Sequence, residues 1–566
     1  MSAKDDRLKV VLLWHMHQPE YRAGSDGEYR LPWTYLHGIK DYVDMAAHIE
    51  MVPEARAVVN FAPTLLEQLD DYARQTRDYL ACGASPRDPL LAALVQGVLP
   101  QETELRESLI RACLRANENR LIQRFPPFAR LAAIARRALE DIPSLIYLSD
   151  QFLADILVWY HLAWMGETVR LKDRRIIALV DKAQGYTLYD RRILMEVIAD
   201  LLGGVIGRYR RLWEKGKVEL SFTPYAHPIM PLMLDLNSAR DAMPNVPLPK
   251  AKAYPGGEER VRWHIEKGLE VFEKHFGHRP QGCWPSEGSV SDETLKILHE
   301  YKVHWVATGE QVLHNSLAKA GMPDDRAGQC QHRAYRVGDK AGPCCFFRDD
   351  GLSDLVGFQY ANWHADDAVA NLLHNLENIA NACRDNHNAV CTIALDGENA
   401  WETYPDNGYH FLKALYTGLS KHPRLRLSTL SECARSPMKL PGLMAGSWVY
   451  GTFSTWIGDK DKNRGWDMLV DAKRAFDNAL AIGRLSETRV RKAERQMAVC
   501  EGSDWFWWFG DYNPGETVAA FDNLYRQQLL LLYELIGEDA PEYLAHSFSR
   551  GGGAGQPMGG VMRRNV

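Results

Sequence analysis

The chain has 566 residues and a formal net charge of −6, from 67 Lys and Arg against 73 Asp and Glu, with no long run of one sign. This balance argues against nucleic acid or an anionic membrane surface as the main partner. A chain of this length exceeds what one hydrophobic core supports, so we expect a large catalytic domain with at least one further unit.

The N-terminal stretch and the cysteines bear on where the protein works. The apolar run from Val10 to Trp14 is too short for a signal peptide or a membrane span, so we expect a soluble, cytoplasmic protein. The 10 Cys form no CxxC pair and no regular framework. We therefore expect reduced thiols, and neither disulfides nor a thiolate metal site.

Seven short β-rich runs end in polar or aromatic residues. In chain order they are VVLLWH near Val10, AVVNFAP near Val58, VELSFTPYAH near Leu220, QGCWPSE near Cys283, VHWVATGE near Trp305, GPCCFFRDD near Phe346 and AVCTIALDGEN near Ile393. Helical patterns separate most of them, which predicts a parallel α/β barrel. Functional side chains of such barrels lie at the carboxyl ends of the strands, so we expect one shared site there.

Helical patterns interrupt and follow the barrel. A helical insertion is expected at about 64–217, within a catalytic barrel at 1–405. From 406 to 547 the pattern predicts a C-terminal α-helical domain that completes the cleft. The Gly-rich residues 548–566 cannot bury enough surface to order themselves, so they are expected to form a flexible tail.

The first two motifs place imidazoles after predicted strands. His15 and His17 occupy alternate positions and so share one side of the strand end, where they could bind Zn²⁺ or hydrogen-bond sugar hydroxyls. The spacing identifies no third ligand, and a buried, hydrogen-bonded pair is the alternative. Tyr225 and His227 stand between two prolines that stiffen the loop. A rigid loop with no ligand role is the alternative there.

The next two motifs carry carboxylates. Glu287 ends a strand beside Trp284, Pro and Gly, which would fix its orientation. A glycosidase nucleophile needs an oriented carboxylate of this kind next to a surface on which sugars stack. The apolar strand CTIAL delivers Asp396 and Glu398, followed by Trp401. A carboxyl group beside apolar residues can have a raised pKa and act as a general acid. Spacing does not decide which of the two faces the substrate.

An aromatic and charged region extends from Gly446 to Trp508. Its Trp residues stand next to Gly, Ser and Asp, which favours platforms for further sugar units. We assign Trp456 to ligand stacking, and Trp507 and Trp508 to packing between the helical domain and the barrel.

Taken together and in this order, these motifs resemble glycoside hydrolase family 57, the family of α-amylases, amylopullulanases, glucanotransferases and branching enzymes. The matching segments are WHMHQP, FTPYAHPIMPL, GCWPSEGS, LDGENAWE and TWIGDKDKNRGW. The resemblance covers nearly the whole chain, from about Val10 to Trp508. It implies an incomplete (β/α)7 barrel followed by a helical domain, with Glu287 as nucleophile and Asp396 as acid/base.

The form of these segments looks most like the amylopullulanase and α-amylase branch of the family. This implies a retaining hydrolase that cleaves α-1,4 and also α-1,6 glucosidic bonds of glycogen, maltodextrin or pullulan-like substrates, with no metal or cofactor. Asp349 or Asp350 and Glu398 would support the charges around the catalytic pair. The expected substrate-binding residues are His15, His17, Tyr225, His227, Trp284, Asp349, Glu398, Trp401, Trp456, Asp459 and Trp505.

Three other functions are compatible with the same residues. A 4-α-glucanotransferase or branching-type transglycosylase differs only in whether a sugar hydroxyl or water resolves the intermediate. A metal-dependent carbohydrate-active enzyme would hold Zn²⁺ with His15, His17 and an Asp. A non-catalytic glucan-binding protein would keep the barrel without turnover. Bond preference, substrate length and oligomeric state do not follow from the sequence.

Overall fold

The computed structural model describes residues 6–24, 27–324, 330–338 and 342–553, and its β-strands belong to one sheet. The strands are β1 (Leu8–Met16), β2 (Ala57–Phe61), β3 (Val218–Phe222), β4 (Gly282–Cys283), β5 (Trp305–Gly309), β6 (Tyr335–Val337), β7 (Cys344–Arg348), β8 (Val390–Asp396), β9 (Leu425–Leu427) and β10 (Met438–Leu440). Strand β1 is buried along almost its whole length. A nearly continuous apolar run of this kind is typical of parallel strands covered on both faces.

Seven of these strands close into a parallel barrel in the order β1, β2, β3, β4, β5, β7, β8, which confirms the predicted fold. The ring is uneven. Strand β1 pairs with β8 from Lys9 to His15, whereas among the described residues β7 and β8 meet at one registered pair, Arg348 and Thr392. We call this short contact the β7–β8 seam.

Helices cover the barrel and form most of the rest of the chain. Two follow β1, α1 (Trp33–Ile39) and α2 (Asp41–Met51). The expected insertion contains α3 (Pro63–Cys82), α4 (Pro89–Val95), α5 (Thr103–Cys113), α6 (Pro126–Leu139), α7 (Asp150–Trp164), α8 (Glu167–Arg170), α9 (Arg174–Lys182) and α10 (Leu188–Glu214). The helices between β3 and β10 are α11 (Met230–Leu234), α12 (Ala239–Ala242), α13 (Gly257–Phe276), α14 (Asp292–Glu300), α15 (Glu310–Lys319), α16 (Asp350–Asp354), α17 (Ala365–Ala382), α18 (Tyr409–Lys421) and α19 (Leu430–Cys433). The last group is α20 (Lys460–Ile482), α21 (Glu487–Cys500), α22 (Ser503–Trp508) and α23 (Gly515–Ile536).

The C-terminal part differs in detail from the expectation. The sheet continues past residue 405, because β9 pairs with β1 and β10 pairs with β6. At the start of the expected tail, the backbone N–H groups of Phe548 and Ser549 donate to Asp522 of α23, and Ser549 is buried. Residues 554–566 of that tail lie outside the described residues. Among the described helices, none has both the length and the apolar composition needed to cross a membrane.

Candidate active site

One cavity opens at the carboxyl ends of the barrel strands. Its lining comes from residues at the ends of β1, β7 and β8 or just after β1, β3, β4 and β8 and, on the opposite side, from the C-terminal helices. The lining includes His15, His17, Gln18, His227, Glu287, Arg348, Asp396, Glu398, Asn399, Trp448, Asp504, Trp507, Trp508 and Phe521. The helical insertion contributes Arg115 to the same cavity.

Glu287 is held in place by its backbone and by two later segments of the chain. It lies in the turn Ser286–Gly288 with φ 56° and ψ 27°, a left-handed conformation that is uncommon for residues other than Gly. The indole Nε1 of Trp448 donates to its Oε2 at 3.0 Å. The hydroxyl of Ser503 lies 3.5 Å from its Oε1. The carboxylate therefore has a fixed direction before any substrate arrives.

A second set of contacts fixes Trp448 itself. Its backbone N–H donates to the carbonyl of Glu287 at 3.2 Å, and its ring packs edge-on against Trp284 at a centroid distance of 5.1 Å. The guanidinium of Arg348 lies 5.1 Å from the ring centroid and donates to Asp354 at 3.0 Å. Trp448 thus links the carboxylate of Glu287 to the cationic end of β7.

Asp396 is the last residue of β8 and is paired with His15 of β1 in the sheet register. The side-chain amide of Asn399 donates to its Oδ2 at 2.8 Å. Burial raises the pKa of Asp396, and the Asn399 hydrogen bond and the charges of His17 and Arg348 oppose this only in part. A carboxyl group with a raised pKa is suited to donate a proton.

Glu398 is a second buried acid beside Asp396. Its Oε1 accepts from the side-chain amide of Gln18 at 3.1 Å, and its Oε2 has no hydrogen-bond partner among the described residues. Burial, followed by the charges of Asp396 and Asp41, raises the pKa of Glu398 well above 4.5. The structure thereby favours a neutral Glu398. A neutral Glu398 places no second negative charge beside Asp396.

This raised pKa predicts a pH dependence of stability. Above pH 4.5, the ordinary value, the unfolded chain releases the Glu398 proton while the folded protein retains it. The free energy of unfolding should therefore fall as pH rises toward the folded-state pKa. We expect Glu398→Gln to flatten this fall, measured by urea unfolding at about pH 5 and about pH 8. The exposed Glu293→Gln is the control, and an equally steep fall in Glu398→Gln would contradict the prediction.

Three imidazoles stack beside the carboxylates. Nε2 of His15 lies 3.1 Å from Nε2 of His227, and the rings of His17 and His227 stack at 3.9 Å with an interplanar angle of 17°. Burial, together with the charge of His17, lowers the pKa of His15 to about 3, although a hydrogen bond to Asn60 opposes the shift. Burial and the other two imidazoles lower the pKa of His227 well below 6.5. His15 and His227 are therefore neutral at physiological pH.

These imidazoles are close enough to be considered as a metal site. Each one has a ring nitrogen held by a neighbour: Nδ1 of His15 by Asn60 at 2.6 Å, Nε2 of His17 by Asp504 at 2.8 Å and Nδ1 of His227 by Ser503 at 2.8 Å. Such a hydrogen bond is compatible with metal binding through the other nitrogen, so the direction of the rings decides. The lone pair of an imidazole nitrogen lies in the ring plane, and stacked rings do not direct these lone pairs at one point. The arrangement fits hydrogen bonding to hydroxyl groups better than coordination of one ion.

Seven of the expected substrate-binding residues do not line the cavity. Trp284, Trp401, Trp456 and Trp505 are buried in the core. The indole of Trp401 donates to the carbonyl of Gly397, and that of Trp505 donates to the carbonyl of Val499. These four indoles support the walls of the cavity from behind.

The other three have structural contacts. The hydroxyl of Tyr225 donates to Glu67 at 2.8 Å. Asp349 caps the N-terminus of α16 and accepts from His332, and its neighbour Asp350 pairs with Arg348 at 2.8 Å. Asp459 caps the N-terminus of α20.

Trp507 and Trp508, which were expected to pack the helical domain against the barrel, contribute to the cavity wall. Both are half-buried and line the cavity, although Trp508 also stacks on Phe521 of α23 at 5.0 Å. The sequence signal was their position next to Asp504, a cavity residue in the same short helix, α22. Arg348 also lines the cavity, and only its position at the end of a strand indicated this.

Comparisons with known proteins agree on one family of folds. The model of Glycosyl hydrolase family 57 matches residues 11–444. A 107-residue segment is 28% identical to the 1,4-alpha-glucan branching enzyme TK1436 of Thermococcus kodakarensis, over 19% of this chain and 13% of that relative. The chain therefore matches only a small part of the curated relative's length.

Solved structures are similar over nearly the whole chain. The branching enzyme TK1436 has a TM-score of 0.55 at 14% identity, covering 94% of this chain and 90% of that one. The α-amylase AmyC from Thermotoga maritima has a TM-score of 0.54 at 15% identity, covering 95% and 96%. A branching enzyme from Pyrococcus horikoshii has a TM-score of 0.52 at 14% identity, covering 99% and 100%. At such identities the similarity establishes the fold alone.

Proposed function

We propose that this chain, which belongs to glycosyl hydrolase family 57, acts on α-glucans and breaks glucosidic bonds with retention of the anomeric configuration. The observation that carries the proposal is the pair of carboxyl groups in one cavity. Glu287 has an indole hydrogen bond and a fixed direction, and Asp396 has a raised pKa. A nucleophile and a proton donor of these two kinds are what a retaining glycosidase requires.

In the proposed reaction each residue acts twice. An oxygen of Glu287 bonds to the anomeric carbon while the glycosidic C–O bond breaks, and the proton of Asp396 passes to the departing oxygen. An acceptor hydroxyl then gives its proton to Asp396 and bonds to the same carbon, which releases Glu287. Direct attack requires the two carboxyl groups to lie about 5–5.5 Å apart.

The neutral imidazoles provide the polar wall of the subsite at the cleaved bond. Because His15 and His227 are uncharged, each ring can donate with one nitrogen and accept with the other, and a sugar hydroxyl would take the place of the contact between their Nε2 atoms. Sugar hydroxyls need both kinds of partner. We assign His15, His17 and His227 to the hydroxyls of the ring that Glu287 attacks.

Hydrolysis of α-1,4 and also α-1,6 bonds in glycogen, maltodextrin or pullulan-like chains is the proposed activity. Transfer to a sugar acceptor is the second candidate. It is favoured by the aromatic side of the cavity, where Trp507, Trp508 and Phe521 would disfavour water and stack an acceptor sugar. Similar structures include both branching enzymes and an α-amylase.

The proposed location is the cytoplasm. The ten cysteines all lie in the described part of the chain and form no disulfide, and nine of them are buried, which suits a reducing compartment. Cell fractionation would test this location.

Product analysis tests the proposal and separates the two candidates. Purified enzyme would be incubated with maltooligosaccharides, glycogen and pullulan, and the anomeric form of the first products followed by NMR. Initial α-products together with new reducing ends support retaining hydrolysis, and cleavage of pullulan to maltotriose supports action on α-1,6 bonds. Longer or branched chains without new reducing ends would support transfer instead. Initial β-products, or no action on any glucan, would refute the proposal.

The half-buried indoles predict an effect on long substrates. We expect Trp507→Ala and Trp508→Ala to raise KM for long maltooligosaccharides about 2- to 13-fold, because a lost stacking contact costs roughly 0.5–1.5 kcal/mol. KM for the shortest cleaved substrate should change less. Trp363→Ala is the control, since Trp363 is exposed and outside the cavity lining. Equal effects on short and long substrates would assign these residues to packing.

A further inference from the structure

A second cluster of reactive side chains lies outside the active-site cavity. His332, Asp349 and Cys391 are buried, and one possible ligand atom from each lies within 4.8 Å of the others. Nε2 of His332 is 2.9 Å from Oδ2 of Asp349. The thiol of Cys383, just after α17, is also within interaction range of the imidazole. We call these four residues the seam cluster.

The seam cluster is incomplete as a hydrogen-bonded network. Nδ1 of His332 is buried and has no hydrogen-bond partner among the described residues. Thiols are weak partners and do not replace the hydrogen bonds that a buried imidazole loses on leaving water. Nε2 of His332 already contacts Asp349, so an ion shared with Asp349 would bind through Nε2 and take the place of that hydrogen bond.

The position of the seam cluster in the barrel indicates what a bound ion would do there. Asp349 directly follows β7, Cys391 lies in β8, and the backbone N–H of Asp349 donates to the carbonyl of Thr392 at 2.7 Å. The cluster thus spans the β7–β8 seam, where a single registered pair joins the two strands. An ion held by residues from both sides would close the seam.

The donor set selects the class of ion. Two thiols, one imidazole and one carboxylate are borderline-soft ligands, which Zn²⁺ prefers in tetrahedral coordination. Tetrahedral ligands on Zn²⁺ stand about 3.3–3.8 Å apart, so the donor atoms of His332, Asp349 and Cys391, which lie within 4.8 Å of one another, need only small inward shifts. Cys383 would complete the set from the side of the imidazole that it contacts. We infer that His332, Asp349, Cys383 and Cys391 bind a structural Zn²⁺ ion at the β7–β8 seam. Binding displaces the protons of both thiols.

Metal analysis of the untagged full-length protein tests this inference. We expect about one equivalent of zinc per chain by mass spectrometry, after purification or after reconstitution with Zn²⁺ and removal of excess. Cys391→Ser should lose it. Cys113→Ser, a buried thiol in the helical insertion, should retain it. The melting temperature of the wild type should fall in a strong chelator and recover with added Zn²⁺.

Cobalt substitution of the wild type covers the case in which Cys391→Ser does not fold. Co²⁺ bound by two thiolates gives intense thiolate-to-metal absorption bands, and their appearance at one equivalent supports the seam cluster. Wild type that binds no Zn²⁺ on reconstitution would overturn the inference. Zinc that persists in Cys391→Ser but is lost in His17→Ala would place the ion at the barrel mouth and overturn it as well. None of these readouts depends on enzyme activity.

Discussion

Glu287→Gln should abolish turnover on every glucan that the wild type cleaves, lowering kcat on the order of 10⁴-fold or more. The amide keeps the size of the side chain and its contact with the indole of Trp448, which lies 3.0 Å from Oε2 in the wild type. It cannot form the covalent bond to the anomeric carbon. The loss should therefore appear in kcat, with KM and the melting temperature little changed. Steady-state kinetics on maltooligosaccharides and a thermal melt measure these quantities.

A second variant distinguishes a nucleophile from a residue that only orients the substrate. In Glu287→Ala, sodium azide should restore part of the activity, because the small anion can attack the anomeric carbon from the space that the side chain leaves. The product should be a β-glycosyl azide. Glu293→Ala, on the surface of α14, is the matched control. Turnover by Glu287→Gln close to that of the wild type would mean that another carboxylate carries the reaction.

Asp396→Asn should lower kcat roughly 10²–10⁴-fold on maltooligosaccharides, the range associated with loss of a general acid–base group. The loss should be much smaller for the first step on a substrate with an activated phenolic leaving group, because such a group departs without a proton. Accumulation of the glycosyl-enzyme on that substrate, detected by mass spectrometry, would identify the missing base of the second step.

The pH profile provides an independent check of the same residue. Since burial raises the pKa of Asp396, wild-type activity should decline on the alkaline side as this group loses its proton. The side-chain amide of Asn399 opposes the rise. Asn399→Ala should therefore move the alkaline limb to higher pH, and Asp396→Asn should remove that limb. An alkaline limb that is the same in all three proteins would assign it to a different group.

The fold and the centre of the site could be predicted because their signals are local. Each buried strand is a short apolar run, and the residue after it must emerge at the mouth of a parallel barrel. His15, Glu287 and Asp396 were found in this way, and the structure brings all three to one cavity. Their chemical roles remain predictions that the variants above would test.

The aromatic surface could not be predicted because the fate of a Trp depends on which helices pack on it. Trp456 and Trp507 belong to one aromatic region of the sequence, yet Trp456 is buried and Trp507 lines the cavity. Asp349 illustrates the same limit for a carboxylate. It follows a barrel strand as Asp396 does, but it turns to cap α16 and meets His332.

The backbone of Glu287 has an evolutionary consequence. A residue with a side chain in this left-handed conformation costs the fold of order 1–3 kcal/mol, and Gly would adopt the same conformation with little strain. Selection for stability alone would thus draw this position toward Gly. Urea unfolding of Glu287→Gly should show a larger free energy of unfolding than Glu287→Ala, because both variants lose the hydrogen bond from Trp448 and only Ala keeps the strain. Retention of a strained glutamate then records selection for chemistry, and lineages released from that selection should lose this residue early.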